Sequence, residues 1–135
     1  MSFEIFLQSF ENERKYVFPT SELLARFKRH IKEEDGGVWR LGFDEGFGLS
    51  DMYISSGETT DGFMIRKPPD SLEFWRIISG LLKDYPSVLF WPGSGAVMGS
   101  LDLLPHLPKN FIDTFGIPWV STDPERIRQY VWDNS

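Results

Sequence analysis

The 135-residue chain contains no cysteine. Disulfides and thiolate nucleophiles are therefore excluded, and the chain suits a reducing compartment. Histidine is almost as scarce, with His30 and His106 alone. Neither has a nearby carboxylate at ligand spacing, and a zinc centre takes three or four N or S ligands, so the pattern offers no such centre. Basic residues are also in deficit: 14 Lys and Arg stand against 20 Asp and Glu, for a net charge of −6 and a pI of about 4.9. An acidic surface repels phosphate backbones and anionic lipid, which argues against nucleic acid and membrane as partners. It favours encounter with a basic protein. Long apolar runs are missing as well. The longest uncharged stretch, Tyr85 to Leu101, is interrupted by Pro86, Pro92 and three glycines, whereas a membrane helix needs about 20 continuous apolar positions. The N-terminal MSFEIFLQSF has neither a basic leader nor a small-residue cleavage site. No signal peptide is expected, and a cytoplasmic location is.

What is present is ordinary for a soluble domain: 41% hydrophobic and 25% charged residues. No repeat, low-complexity tract or boundary divides the sequence, so residues 1–135 are expected to form a single domain. The most organised stretch is Asp70 to Gly93. Leu72, Phe74, Trp75, Ile77, Ile78, Leu81, Leu82 and Tyr85 cover most of a helix, and Glu73, Arg76, Gly80, Lys83 and Asp84 form its narrow polar arc. Asp70 and Ser71 are expected caps, and Pro86 ends the helix. Val88, Leu89, Phe90 and Trp91 then read as a strand with no polar face, placed centrally and covered on both sides.

Around that pair, Phe3, Ile5 and Leu7 alternate as a first strand, and Phe6 and Phe10 keep its second face from being fully solvated. A helix capped at Thr20 or Ser21 carries Leu24, Phe27 and Ile31, with a basic C-terminal half in which His30 reads as surface. Residues 33–37, Glu-Glu-Asp-Gly-Gly, read as a break. Three alternating strands follow near Trp39–Phe43, Asp51–Ser55 and Phe63–Arg66, as an antiparallel meander. Gly93 to Ser100 is expected to be a glycine-rich loop, Leu101 to Pro108 irregular, Asn110 to Phe115 a helical turn or two, and Ile117 to Ser121 a last short strand. Thr122 with Glu125 predicts a capping box for a closing helix striped by Ile127, Tyr130 and Val131. The fold class is α+β: a mostly antiparallel sheet with a three-strand meander, and about three helices packed on it.

Candidate chemistry is sparse. His106, between Leu104-Pro105 and Leu107-Pro108, is the one candidate general base; a hydrogen-bonded loop histidine is the plainer alternative. Asp44, Glu45, Asp51, Glu58, Asp61 and Asp70 could gather at turns, but they lack the alternating calcium-loop pattern and read first as solvated. Residues 93–99 follow a strand as a phosphate loop would, yet Met98 stands where a dinucleotide fingerprint needs glycine, and no Lys-Ser/Thr follows. Asp70-Ser71-Leu72 has the form of an acyl-carrier attachment triplet, but those carriers are all-helical; N-capping is the simpler reading. Aromatic residues make up 16% of the chain. Phe47 on a turn tip, and Trp119 and Trp132 flanking the closing helix, are placed as interface anchors would be.

Residues 1–8 (Met-Ser-Phe-Glu-Ile-Phe-Leu-Gln), 88–93 (Val-Leu-Phe-Trp-Pro-Gly) and 104–108 (Leu-Pro-His-Leu-Pro) together resemble a family of small uncharacterised bacterial proteins. Some of these look like immunity proteins of polymorphic or secreted toxin systems. The resemblance spans most of the chain. It implies a cytosolic protein that binds and neutralises a toxin, and it implies no catalytic residue.

The expected function is therefore non-catalytic protein binding, as an immunity protein occluding a basic toxin, with no cofactor and no metal. The expected binding residues are Asp44, Glu45, Phe47, Glu58, Asp61, Ser94, His106, Trp119 and Trp132. Two alternatives stay open. One is a small enzyme or ligand-binding domain using the Gly93–Ser100 loop with His106. The other is a chaperone for a secreted effector.

Overall fold

The structure is a computed structural model that describes residues 3–43, 48–55, 57–92 and 95–135. In chain order the elements are β1 (Glu4–Glu11), β2 (Arg14–Lys15), β3 (Phe18–Pro19), α1 (Thr20–Phe27) and a 3-10 turn (Lys28–His30). β4 (Ile31–Asp35), β5 (Val38–Leu41), β6 (Ser50–Tyr53), β7 (Thr59–Thr60) and β8 (Gly62–Arg66) follow. The second half contains α2 (Leu72–Asp84), β9 (Ser87–Trp91), β10 (Gly95–Met98), a 3-10 helix (Leu101–His106), α3 (Lys109–Phe115), β11 (Trp119–Val120) and α4 (Pro124–Asp133).

Among the described residues, the main sheet runs β11-β10-β9-β1-β8-β6-β5-β4, with β2 folded back on β1. Every pairing is antiparallel except β10 with β11. The expected meander is β5-β6-β8. The fold is α+β, as the order of elements predicted. The N-terminal β1 lies in the interior of the sheet, between β8 and β9.

One face carries the main core. Ile5, Leu7, Met52, Ile65, Leu89 and Trp91 point into it, and α1, α2 and α4 cover it. α2 supplies Phe74, Trp75, Ile78, Leu81 and Leu82, the i, i+4, i+7 stripe that a buried helix face requires. Fully burying one such side chain contributes about 1.5–3 kcal/mol. α4 lies beside α2 and adds Ile127 and Val131. The Trp91 indole N–H donates to the Asn134 carbonyl at 2.9 Å, tying β9 to the end of α4.

Among the described residues, the second face is covered only at one end. There α3 and the 3-10 helix bring Leu103, Leu107 and Phe111 onto Phe10, Val88, Ala96 and Met98. β9 thus has apolar residues on both faces because each faces a different core.

Several local expectations are corrected. The break expected over residues 33–37 is confined to Gly36 and Gly37: Ile31–Asp35 is β4, at one end of the sheet. Charge is what an unpaired edge tolerates, since it discourages pairing with other chains. Gly95–Met98 is not a loop but β10, paired with β9. Its glycines serve close approach. A Cβ on Gly95 would stand 2.8 Å from the Trp91 ring, and one on Gly99 would stand 2.4 Å from the Leu82 carbonyl oxygen. His30 is not a surface residue. It stacks on Phe43 at 4.0 Å, and its Nε2 lies 3.9 Å from Glu73. α1 follows Pro19 without a side-chain cap, and Asp70 accepts a hydrogen bond from Arg128 instead of capping α2. α4 is capped by Asp123, whose carboxylate accepts the Arg126 N–H, and not by a Thr122–Glu125 box.

Candidate functional site

The uncovered part of the second sheet face is the most distinctive surface. Register alone aligns its side chains. Val38, Tyr53, Met64, Phe6 and Phe90 are successive cross-strand partners over β5, β6, β8, β1 and β9. They form one apolar row across five strands, each residue half-buried. Phe6 stacks on Phe90 at 5.3 Å, and Phe90 meets Phe111 and Phe115 where α3 closes the row.

A second row runs beside the first. Glu33, Arg40, Asp51, Arg66 and Glu4 are cross-strand partners in that order, so the sign of charge alternates at every strand. Arg40 donates to Glu33 at 2.8 Å and lies 3.5 Å from Asp51. Arg66 lies over the Tyr53 ring at 5.8 Å, linking the charged row to the apolar one. Opposite-sign cross-strand neighbours stabilise a sheet only modestly, about 0.2–1 kcal/mol each. Within the ladder, Arg40 is held between Glu33 and Asp51.

On the other flank of the apolar row is a trough of about 200 Å³, lined by Phe6, Tyr53, Met64, Phe90, Gln8 and Asp61. The Gln8 side-chain amide donates to Asp61 at 2.8 Å, and Lys15 approaches the same carboxylate at 4.0 Å. The volume is below the roughly 300–1,000 Å³ of ordinary small-ligand pockets. It suits a single inserted side chain.

A second groove, of about 340 Å³, lies at the start of β9, between the end of α2 and the 3-10 helix; His106, Ser100 and Gly99 line it. This is where a histidine-based site would sit. The geometry disfavours the base role. His106 Nδ1 accepts the Asn12 backbone N–H at 3.0 Å, and its carbonyl accepts the Glu13 N–H at 2.9 Å. A neutral ring so engaged carries its proton on Nε2 and offers a donor there, not a free lone pair. Four other polar side chains of the groove are also occupied. Ser87 donates to main-chain carbonyls, Ser100 caps Asp102, Tyr85 donates to Glu22, and Asp84 pairs with Arg26.

The residues expected to bind are dispersed. Asp44, Glu45, Phe47 and Ser94 lie outside the described residues. Asp61 is in the trough. Glu58 is exposed, and its carbonyl accepts the Thr20 N–H that starts α1. Trp119 stacks on Tyr130 at 4.7 Å as edge-of-core packing, while Trp132, 38% exposed, stands edge-on to Phe3 at 5.1 Å. Sequence reasoning missed the aromatic row. Its signal was that Phe6, Tyr53 and Met64 occupy the off-beat positions of alternating strands, where polar residues are the rule. Among the described residues, no three His, Asp or Glu side chains converge so as to hold a metal ion. No described helix is long and apolar enough to cross a membrane.

Comparison with family models, with curated proteins and with solved structures gives no match.

Proposed function

We propose that this protein is a non-catalytic binding protein that neutralises a basic toxin by occlusion, in the manner of an immunity protein. The observation that carries the reading is the sheet face left open by the described residues: an apolar row across five strands, three of its five residues aromatic, flanked by a ladder of alternating charge. Protein interfaces concentrate their binding energy in aromatic and arginine residues at a central patch with a polar rim. This face has that composition and that layout. The net charge of −6 adds long-range attraction for a basic partner and raises the association rate. The resemblance of residues 1–8, 88–93 and 104–108 to immunity-protein-like bacterial proteins supports the same reading.

The test is co-expression with the product of the neighbouring gene. The expected outcome is relief of that product's toxicity and a complex that survives gel filtration. Absence of both overturns the reading. Met64→Asp, placed in the middle of the apolar row, is expected to abolish the complex, while His106→Ala leaves it intact. The reverse pattern would favour the groove beside His106 instead.

A further inference from the structure

We propose that the trough beside Asp61 receives one arginine side chain of the partner protein, with its guanidinium packed against Phe6 and Tyr53 and paired with the Asp61 carboxylate. The inference rests on the toxin-binding reading and names the anchor that the partner must supply.

Three features of the trough select this occupant. Its size admits one long side chain and not a larger ligand. Its lining joins aromatic rings to a single carboxylate, which together recognise a planar cation: the rings through their negative faces and the carboxylate through paired N–H donors. The carboxylate is held in place, since Gln8 donates to one oxygen at 2.8 Å. Each carboxylate oxygen has two acceptor sites, so room remains for an incoming fork of donors. The same sheet face already shows the chemistry, because Arg66 lies over Tyr53. Lysine fits less well. Its ammonium is a compact, strongly hydrated point charge without a flat face to lay on a ring.

Lys15 is the built-in competitor. Its ammonium stands 4.0 Å from Asp61 and its side chain is 70% exposed, so it is screened by solvent and free to swing aside. An incoming guanidinium replaces it at the carboxylate. Removing Lys15 should therefore strengthen binding, and neutralising Asp61 should weaken it.

The experiment is an NMR titration of the intact protein, with labelled methionine methyls and amides, using blocked arginine, blocked lysine and blocked citrulline as probes. Blocked arginine is expected to shift the Met64 methyl and the Gln8 side-chain amide saturably, lysine less, and neutral citrulline not at all. Asp61→Asn should remove the arginine shifts while the Gln8 hydrogen bond persists. Phe6→Leu should reduce them, and Lys15→Ala should enhance them. Equal shifts with citrulline, shifts that survive Asp61→Asn, or shifts centred on Glu33–Asp35 overturn the proposal. So do concentration-dependent shifts without any probe, which would make a second copy of this chain the occupant.

The partner complex separates the two levels. Asp61→Asn is expected to weaken it at least about tenfold, as an interface hot spot does. If toxicity is relieved but Asp61→Asn binds as tightly as the wild type, the arginine site is wrong and the toxin reading stands. If the arginine shifts appear but the neighbouring product is neither bound nor neutralised, the toxin reading is wrong and the site stands.

Discussion

His106 Nδ1 accepts the backbone N–H of Asn12 at 3.0 Å, across 94 positions of sequence. Asn12 and Glu13 both have positive φ, 52° and 66°, and His106 satisfies the main-chain N–H of each, one through its ring and one through its carbonyl. The histidine that most invites a catalytic reading thus closes the turn between β1 and β2. His106→Ala is expected to cost about 1 kcal/mol, the usual net worth of one hydrogen bond, seen as a lower urea midpoint with an unchanged m-value.

Gly62 tolerates no side chain. Its φ is +155°, and a Cβ there would stand 1.8 Å from the Leu7 carbonyl oxygen. Neither atom is at the end of a flexible chain, so the β1–β8 pairing itself must open. Gly62→Ala should destabilise by about 3 kcal/mol or more and leave little folded protein in a thermal melt.

The two most buried tryptophans separate packing from hydrogen bonding. Trp91 donates its indole N–H to Asn134, whereas the Trp75 indole nitrogen is buried without a partner. Trp91→Phe should cost about 1 kcal/mol more than its loss of volume alone, and Trp75→Phe should not. Paired denaturation curves of the two variants measure the difference.

Tyr85 provides a pH signature. Its phenol donates to Glu22 at 2.6 Å, and that hydrogen bond, with lesser contributions from burial and the Glu22 charge, raises its pKa above 10.0. The unfolded chain then releases the proton first as pH rises. The contribution is fully present below pH 10 and is lost as pH climbs through the folded value. The melting-temperature difference between wild type and Tyr85→Phe should hold constant up to about pH 9 and shrink as pH rises above 10.

The α2–β9 core was legible because its patterns are long and agree with each other: thirteen helical positions with one narrow polar arc, then an apolar run between proline and glycine. β4 was not legible because Lys32, Glu33, Glu34 and Asp35 carry the charge of a turn, and only the pairing with β5 shows the edge strand they make. β10 was hidden for a different reason. Glycine signals freedom in sequence, but Gly95 and Gly99 are constrained by the Trp91 ring and the Leu82 carbonyl. The candidate site was half legible. Alternation exposed Phe6, Tyr53 and Met64 strand by strand, but their alignment depends on register between segments up to some eighty residues apart, which no local pattern encodes.

The interior position of β1 has a consequence for synthesis. Its two long neighbours, β8 and β9, leave the ribosome only after residues 66 and 91. β1 must therefore wait, with Ile5, Leu7 and Phe10 unburied, until both of those later segments have been made. Such non-local pairing is slow to form and open to wrong partners meanwhile. Nascent chains stalled before β9 has left the ribosome should be captured by holdase chaperones through this segment, and the released 135-residue chain should not.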